Sequence, residues 1–104
     1  MMNVTRGTRG EVVIRVNGAF DASGAKRLAG WLAEIPAAGM LVLDFTGVRD
    51  CQDSALATVA NDLAARQRLV VHGLSRHQER MLRYFGVQLD RGAGDLERGE
   101  KVAG

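Results

Sequence analysis

Met40-Leu41-Val42-Leu43-Asp44-Phe45, the run MLVLDF, decides the fold. Four consecutive apolar residues closed by a carboxylate and an aromatic are enough for a strand and too few for a helix. The absence of alternation predicts burial on both faces, the condition of an interior strand in a parallel sheet. Working outward from this run, Pro36 and the small residues Ala37, Ala38 and Gly39 precede it, and Thr46 to Gln52 reads as a loop behind it. Beyond both, the apolar period changes from strand-like to helical.

On the N-terminal side, Ala25, Leu28, Leu32 and Ile35 recur at helical spacing, with Lys26, Arg27 and Glu34 on the opposite face. Asp21 is placed to cap that helix, and Pro36 must end it, because its ring clashes with a continuing helix. Earlier still, EVVIRV alternates with the period of a half-buried strand and is broken by Gly18. On the C-terminal side, Leu56, Val59, Ala60 and Leu63 mark a second helix beginning near Asp53. LVVHG, Leu69 to Gly73, is a second buried strand. Ser75 with Gln78 three residues on forms a capping box for a third helix, whose apolar stripe is Met81, Leu82 and Phe85. Gly86 is suited to end it, and Val87 and Leu89 are spaced as in a short closing strand. Strands alternating with helices predict a largely parallel sheet with right-handed crossovers. The loops after the strands, Gly18 to Asp21, Asp44 to Asp53 and Gly73 to Ser75, then gather on one edge, where functional groups collect.

The composition is that of one folded domain: 104 residues, 46% hydrophobic and 25% charged, with a formal charge of +2. Arg66, Arg68, Arg76, Arg80 and Arg83 make the densest basic region, but no aromatic residues are interleaved for base stacking, which argues against nucleic-acid binding. A single cysteine, Cys51, has no partner for an internal disulfide, and His72 and His77 show no metal-ligand spacing. No apolar run approaches the length of a membrane span, and MMNVTRGTRGE carries no signal-peptide core. A cytoplasmic protein is expected.

The chemistry concentrates in Asp50-Cys51-Gln52-Asp53-Ser54. Three roles are open to Ser54. As a plain cap, it or Asp53 would accept from the first backbone N–H groups of the helix, for about 1 kcal/mol. As a nucleophile it would need a positioned base, for which His72 is the one candidate, and no glycine-flanked elbow is present. As a phosphate acceptor it would set the added charge at the positive end of the helix dipole. Flanked by Asp50 and Asp53, such a group would strengthen a negative patch and repel a partner docked there. Cys51 beside Asp50 is disfavoured as a thiolate, which makes it a structural thiol.

These residues together resemble the STAS domains, the family named for sulfate transporters and anti-sigma factor antagonists. The resemblance runs from Val12 to Leu89: Gly18-Ala19-Phe20-Asp21 is similar to the family's glycine-to-aspartate turn, and LVLDFTGV, Leu41 to Val48, to its central strand and following turn. It implies a single α/β domain over residues 11–90, a four- to five-stranded, mostly parallel or mixed sheet with helices packed against it. Residues 1–10 are then an N-terminal segment, and 91–104, polar and glycine-rich, a flexible tail.

In the anti-sigma antagonists the second helix opens with Asp-Ser-Ser/Thr-Gly, and a partner kinase phosphorylates the second hydroxyl residue. Aligned without gaps from Val42, Gln52 stands on the aspartate, Asp53 on the first serine, Ser54 on the acceptor and Ala55 on the glycine. A register shifted by one would put Ala55 on the acceptor, but the ungapped register keeps Leu56 as the apolar anchor and makes Ser54 the candidate phosphorylation site. The resemblance implies a non-enzymatic protein with no cofactor or metal. Its edge of Asp21, Asp44, Asp50, Gln52, Asp53, Ser54 and Thr58 would bind an anti-sigma factor or related serine kinase. The alternative it leaves open is a constitutive STAS subunit of a bacterial lipid-transport ABC complex, seated on a transport ATPase. Neither role involves nucleic acid or insertion into a membrane.

Overall fold

The computed structural model describes residues 2–89, and the tail expected over 91–104 lies outside them. A hairpin opens the chain: β1 (Met2–Arg6) pairs antiparallel with β2 (Val12–Phe20), Val4 opposite Ile14. The turn between them is closed by Gly7 N–H donating to the Glu11 carbonyl at 2.7 Å. β1 falls in residues 1–10, which the sequence predicts only as an N-terminal segment. MNVTR lacks a continuous apolar signal because an edge strand buries few of its side chains. Only Met2 and Val4 are half-buried, packed against the core.

From β2 the chain passes through α1 (Ala22–Glu34) to β3 (Met40–Cys51), then through α2 (Asp53–Ala64) to β4 (Arg68–His72) and on to α3 (Arg76–Tyr84). β2 and β3 are parallel, as are β3 and β4, and the sheet order is β1-β2-β3-β4. MLVLDF is therefore an interior strand, as expected. Both crossovers step the same way across the sheet, and right-handed connections then leave both helices on one face. There Ile14, Leu41, Leu43 and Leu69 from the strands meet Leu28, Leu56, Val59 and Leu63 from the helices, all fully buried.

The expectation of burial on both faces of β3 is corrected by the same topology. Leu41, Leu43 and Phe45 are buried beneath the helices, while Met40, Val42 and Asp44 on the opposite face are only half-buried. The expected loop from Thr46 to Gln52 is also corrected: all of it but Gln52 continues β3. The tail of β2 runs alongside and supplies partners, Asn17 for Gly47, Ala19 for Asp50 and Phe20 for Cys51, with two register shifts on the way. Val87 and Leu89 form no strand. Gly86, at φ +91°, reverses the chain, and the N–H groups of Gly86 and Val87 donate to the carbonyls of Arg83 and Leu82, at 2.9 and 3.0 Å. That pair of bonds is the closing pattern of a helix with a left-handed glycine. Val87 is then buried against the core instead of pairing.

Arg66, counted above in the basic region, is 7% exposed. Its two terminal nitrogens donate to the carbonyls of Ile35 at 2.8 Å and Pro36 at 3.0 Å, and Gln67 N–H donates to Ala37 at 3.1 Å. Pro36 ends α1 and leaves those carbonyls without helical partners; the guanidinium serves both, sharing the Pro36 carbonyl with Gly39 N–H at 3.1 Å.

Candidate functional site

Each helix start on the strand-end edge is built differently. At α1, the Asp21 side chain accepts from Gly24 N–H at 3.1 Å, an ordinary cap. At α3, Ser75 accepts from Gln78 N–H at 3.1 Å, and the Gln78 side chain takes Ser75 N–H at 3.0 Å, so the capping box stands as read. At α2 the capping position belongs to Gln52, whose backbone carbonyl accepts from Ala55 and Leu56 but whose side chain caps nothing. The reading of Asp53 or Ser54 as the cap is thus corrected. β3 runs on to Cys51, and Gln52 N–H is fixed on the Phe20 carbonyl at 3.0 Å, which forces the helix to begin at Asp53.

This shift decides what Ser54 is available for. It is the second residue of α2 and exposed, and its carbonyl accepts from the Thr58 hydroxyl at 2.9 Å, one turn along the same face. Asp53 turns its carboxylate to α3, with Oδ2 at 3.0 Å from His77 Nε2. In the core, Phe20, whose carbonyl holds Gln52 N–H, stacks edge-to-face on Phe45 with centroids 5.0 Å apart. Gly73 lets the β4–α3 turn lie directly on β3: at φ +90°, any Cβ would fall 2.4 Å from Thr46 N.

Of the expected edge, the structure brings together Gln52, Asp53, Ser54 and Thr58, all exposed, with Asp50 exposed at the end of β3. Asp21 is engaged as the cap of α1. Asp44 is spent elsewhere, on the open face of the sheet: its Oδ1 accepts from the Thr46 hydroxyl at 2.6 Å and N–H at 3.0 Å, and Arg15 lies 3.5 Å from Oδ2. The Thr46 hydroxyl, ahead of its N–H and of the charges of Arg15 and His72, holds this carboxyl below the usual range. Cys51 shows the opposite shift. Burial pushes its thiol up, and the charges of Asp53 and Asp50 push it further, so the nucleophilic thiolate is suppressed.

His77 is the residue at this edge that sequence reasoning missed. His72, the base considered for a nucleophilic Ser54, faces Asp44 across the strands instead. Asp53, Ser54 and His77 do share one place, yet no hydrogen bond joins the Ser54 hydroxyl to a histidine, and the His77 side chain is 73% exposed. An activated nucleophile needs that bond and shelter from water. Behind Ser54, an open groove of 550 Å³ runs between α2 and α3 over Ala57, Met81, Tyr84 and Phe85. Of the apolar stripe expected for α3, Met81, Leu82 and Phe85, only Leu82 is fully buried, and Tyr84 is 87% exposed. The available signal was the adjacency of Tyr84 and Phe85, since two successive residues of a helix end cannot both face inward.

Among the described residues no helix is long and apolar enough to cross a membrane, and no three metal-ligating side chains cluster. No curated protein matches the chain. Among solved structures, the unphosphorylated form of the anti-sigma factor antagonist SpoIIAA superimposes with a TM-score of 0.67 at 16% identity, over 95% of this chain and 99% of that one. A crystal structure of Mglu superimposes with a TM-score of 0.60 at 20% identity, over 71% of this chain and 20% of the other. At these identities the likeness is one of fold. The family model described as Mlab, STAS domain, matches residues 3–89, and with the mixed four-stranded sheet and its one-sided helices this shows that the chain belongs to the STAS domain family.

Proposed function

We propose that this chain is a non-enzymatic regulatory STAS protein that binds an anti-sigma factor or a related serine kinase through the start of α2, with Ser54 as the phosphate acceptor. The observation that carries the reading is the uncapped, exposed start of α2, where Ser54 stands at the second helical position with no structural duty for its hydroxyl. A phosphate there meets the positive end of the helix dipole and unengaged N–H groups. Asp53 already places negative charge beside it, so phosphorylation changes the surface that a partner sees and leaves the core alone. Similarity in fold to an anti-sigma factor antagonist supports the partner class.

A second reading is favoured by the Asp53–His77 pair, which joins α2 to α3 through a carboxylate where the anti-sigma antagonist motif has its first serine. On that reading the same edge sits constitutively on the ATPase of a lipid-transport complex. Incubation with the cognate kinase and ATP, followed by mass spectrometry, tests the choice. A phosphate on Ser54 and loss of binding in Ser54→Asp are expected. No phosphate, with binding unchanged in Ser54→Asp and co-purification of an ATPase with a permease, would establish the constitutive subunit instead.

A further inference from the structure

The groove between α2 and α3 has a chemistry of its own. Its floor is apolar: Ala57, Met81, and the edge-to-face pair Tyr84 and Phe85, with ring centroids 5.9 Å apart. Exposed aromatic surface of this kind, rimmed by charge, marks an interaction site. Arginine borders one side. Arg80 lines the groove, and Arg76 and Arg83, four residues before and three after it on the same side of α3, lie next to that lining, with Glu79 the one acid of the helix. All three arginines are exposed, and none carries an ion pair among the described residues. The one carboxylate lining the groove, Asp53, is hydrogen-bonded to His77 at 3.0 Å, at the end of the groove that also holds Ser54. An occupant must therefore supply an apolar edge and unpaired negative charge in register with a helical repeat.

We infer that the α2–α3 groove receives an amphipathic helix of the partner protein, apolar on the side facing Met81, Tyr84 and Phe85 and acidic on the side facing Arg76, Arg80 and Arg83. This rests on the partner-binding reading of the α2 edge and specifies the partner's chemistry. Two helices flank the channel, and a third lying between them buries its apolar stripe against both, the helix-in-groove mode. α3 has nine residues, about 13 Å at the helical rise, so the contact covers two to three turns of the incoming helix. Ser54 lines the same groove. A phosphate on it would compete with the acidic helix for Arg80 and repel the helix's own carboxylates, which gives the switch its sign.

The test uses the full chain and two synthetic peptides of about 16 residues, long enough to hold a helix. Both carry the same leucine stripe, flanked by glutamates in one and by lysines in the other. Amide chemical-shift changes confined to Asp53–Thr58 and His77–Phe85 are expected, with the acidic peptide bound about fivefold or more tightly and weakening as salt is added. Arg80→Glu should abolish that preference, and Tyr84→Ala should weaken both peptides alike. Equal affinity for the two peptides, shifts on the open face of the sheet, or undiminished binding of an acidic peptide broken by a central proline would each overturn the inference. The kinase assay on Ser54 reads the underlying proposal separately, because it needs no peptide to bind.

Discussion

At its C-terminal end α2 hands over to Arg66, which lies 7% exposed and holds the carbonyls of Ile35 and Pro36. At its N-terminal end Gln52 offers no side-chain cap, and Ser54 stands in solvent beside an open groove. One end of a single helix satisfies the backbone of a neighbouring loop; the other leaves part of its own backbone to water. Buried polar groups are costly when unpaired and exposed ones are not, so the first end is fixed by stability and the second is free to be shaped by a partner.

The largest effect should come from the closed end. Arg66→Ala removes a largely buried side chain and its bonds to the Ile35 and Pro36 carbonyls, of which Pro36 keeps Gly39 N–H as a donor, and is expected to cost about 2 kcal/mol in urea denaturation. A loss below about 1 kcal/mol would mean that water replaces the guanidinium and that the two ends differ less than they look. At the open end the sign reverses. Gln52→Ser introduces the missing cap and should add about 1 kcal/mol, whereas Ser75→Ala at the boxed start of α3 should lose a similar amount. If Gln52→Ser adds nothing, the start of α2 is already satisfied.

Cys51 reports on the same end through its rate of alkylation. Held up by burial and by Asp53 and Asp50, it should react with iodoacetamide severalfold more slowly than free cysteine at pH 8, and Asp53→Asn should recover part of the difference. Because its folded value is raised, the stability it contributes is full below the ordinary thiol pKa and is lost as pH rises through the raised one. The smallest effect belongs to His77→Ala. The pair it breaks has side chains 73% and 52% exposed, so the change should stay below about 0.5 kcal/mol. A larger loss in a thermal melt would move the α2–α3 contact from surface to structure.

What the sequence made legible follows burial. The apolar core of β3, the stripe of α1 with its Asp21 cap, and the Ser75 box of α3 were all readable, because each depends on side chains that must be buried or must cap. The tail of β3 from Thr46 was not, since its pairing with β2 is made by backbone and leaves Thr46, Gly47, Arg49 and Asp50 exposed. Val87 misled for the complementary reason: an apolar residue after a helix-ending glycine is buried by the turn itself and needs no strand. At the site, Ser54 and Asp53 were found by motif. His77 and Arg80 were not, because the groove they share with them exists only once α3 is laid against α2.

The order of the sheet carries a last consequence. β1, β2, β3 and β4 lie side by side in the order in which they are synthesised. Each strand therefore pairs with one already made, and none waits for a segment still inside the ribosome. Contacts between neighbours in sequence close short loops, which favours rapid folding. α3, which walls the groove and carries its arginines, is the last described helix to be made. A nascent chain thus completes its sheet before it can present the groove proposed above as a docking surface.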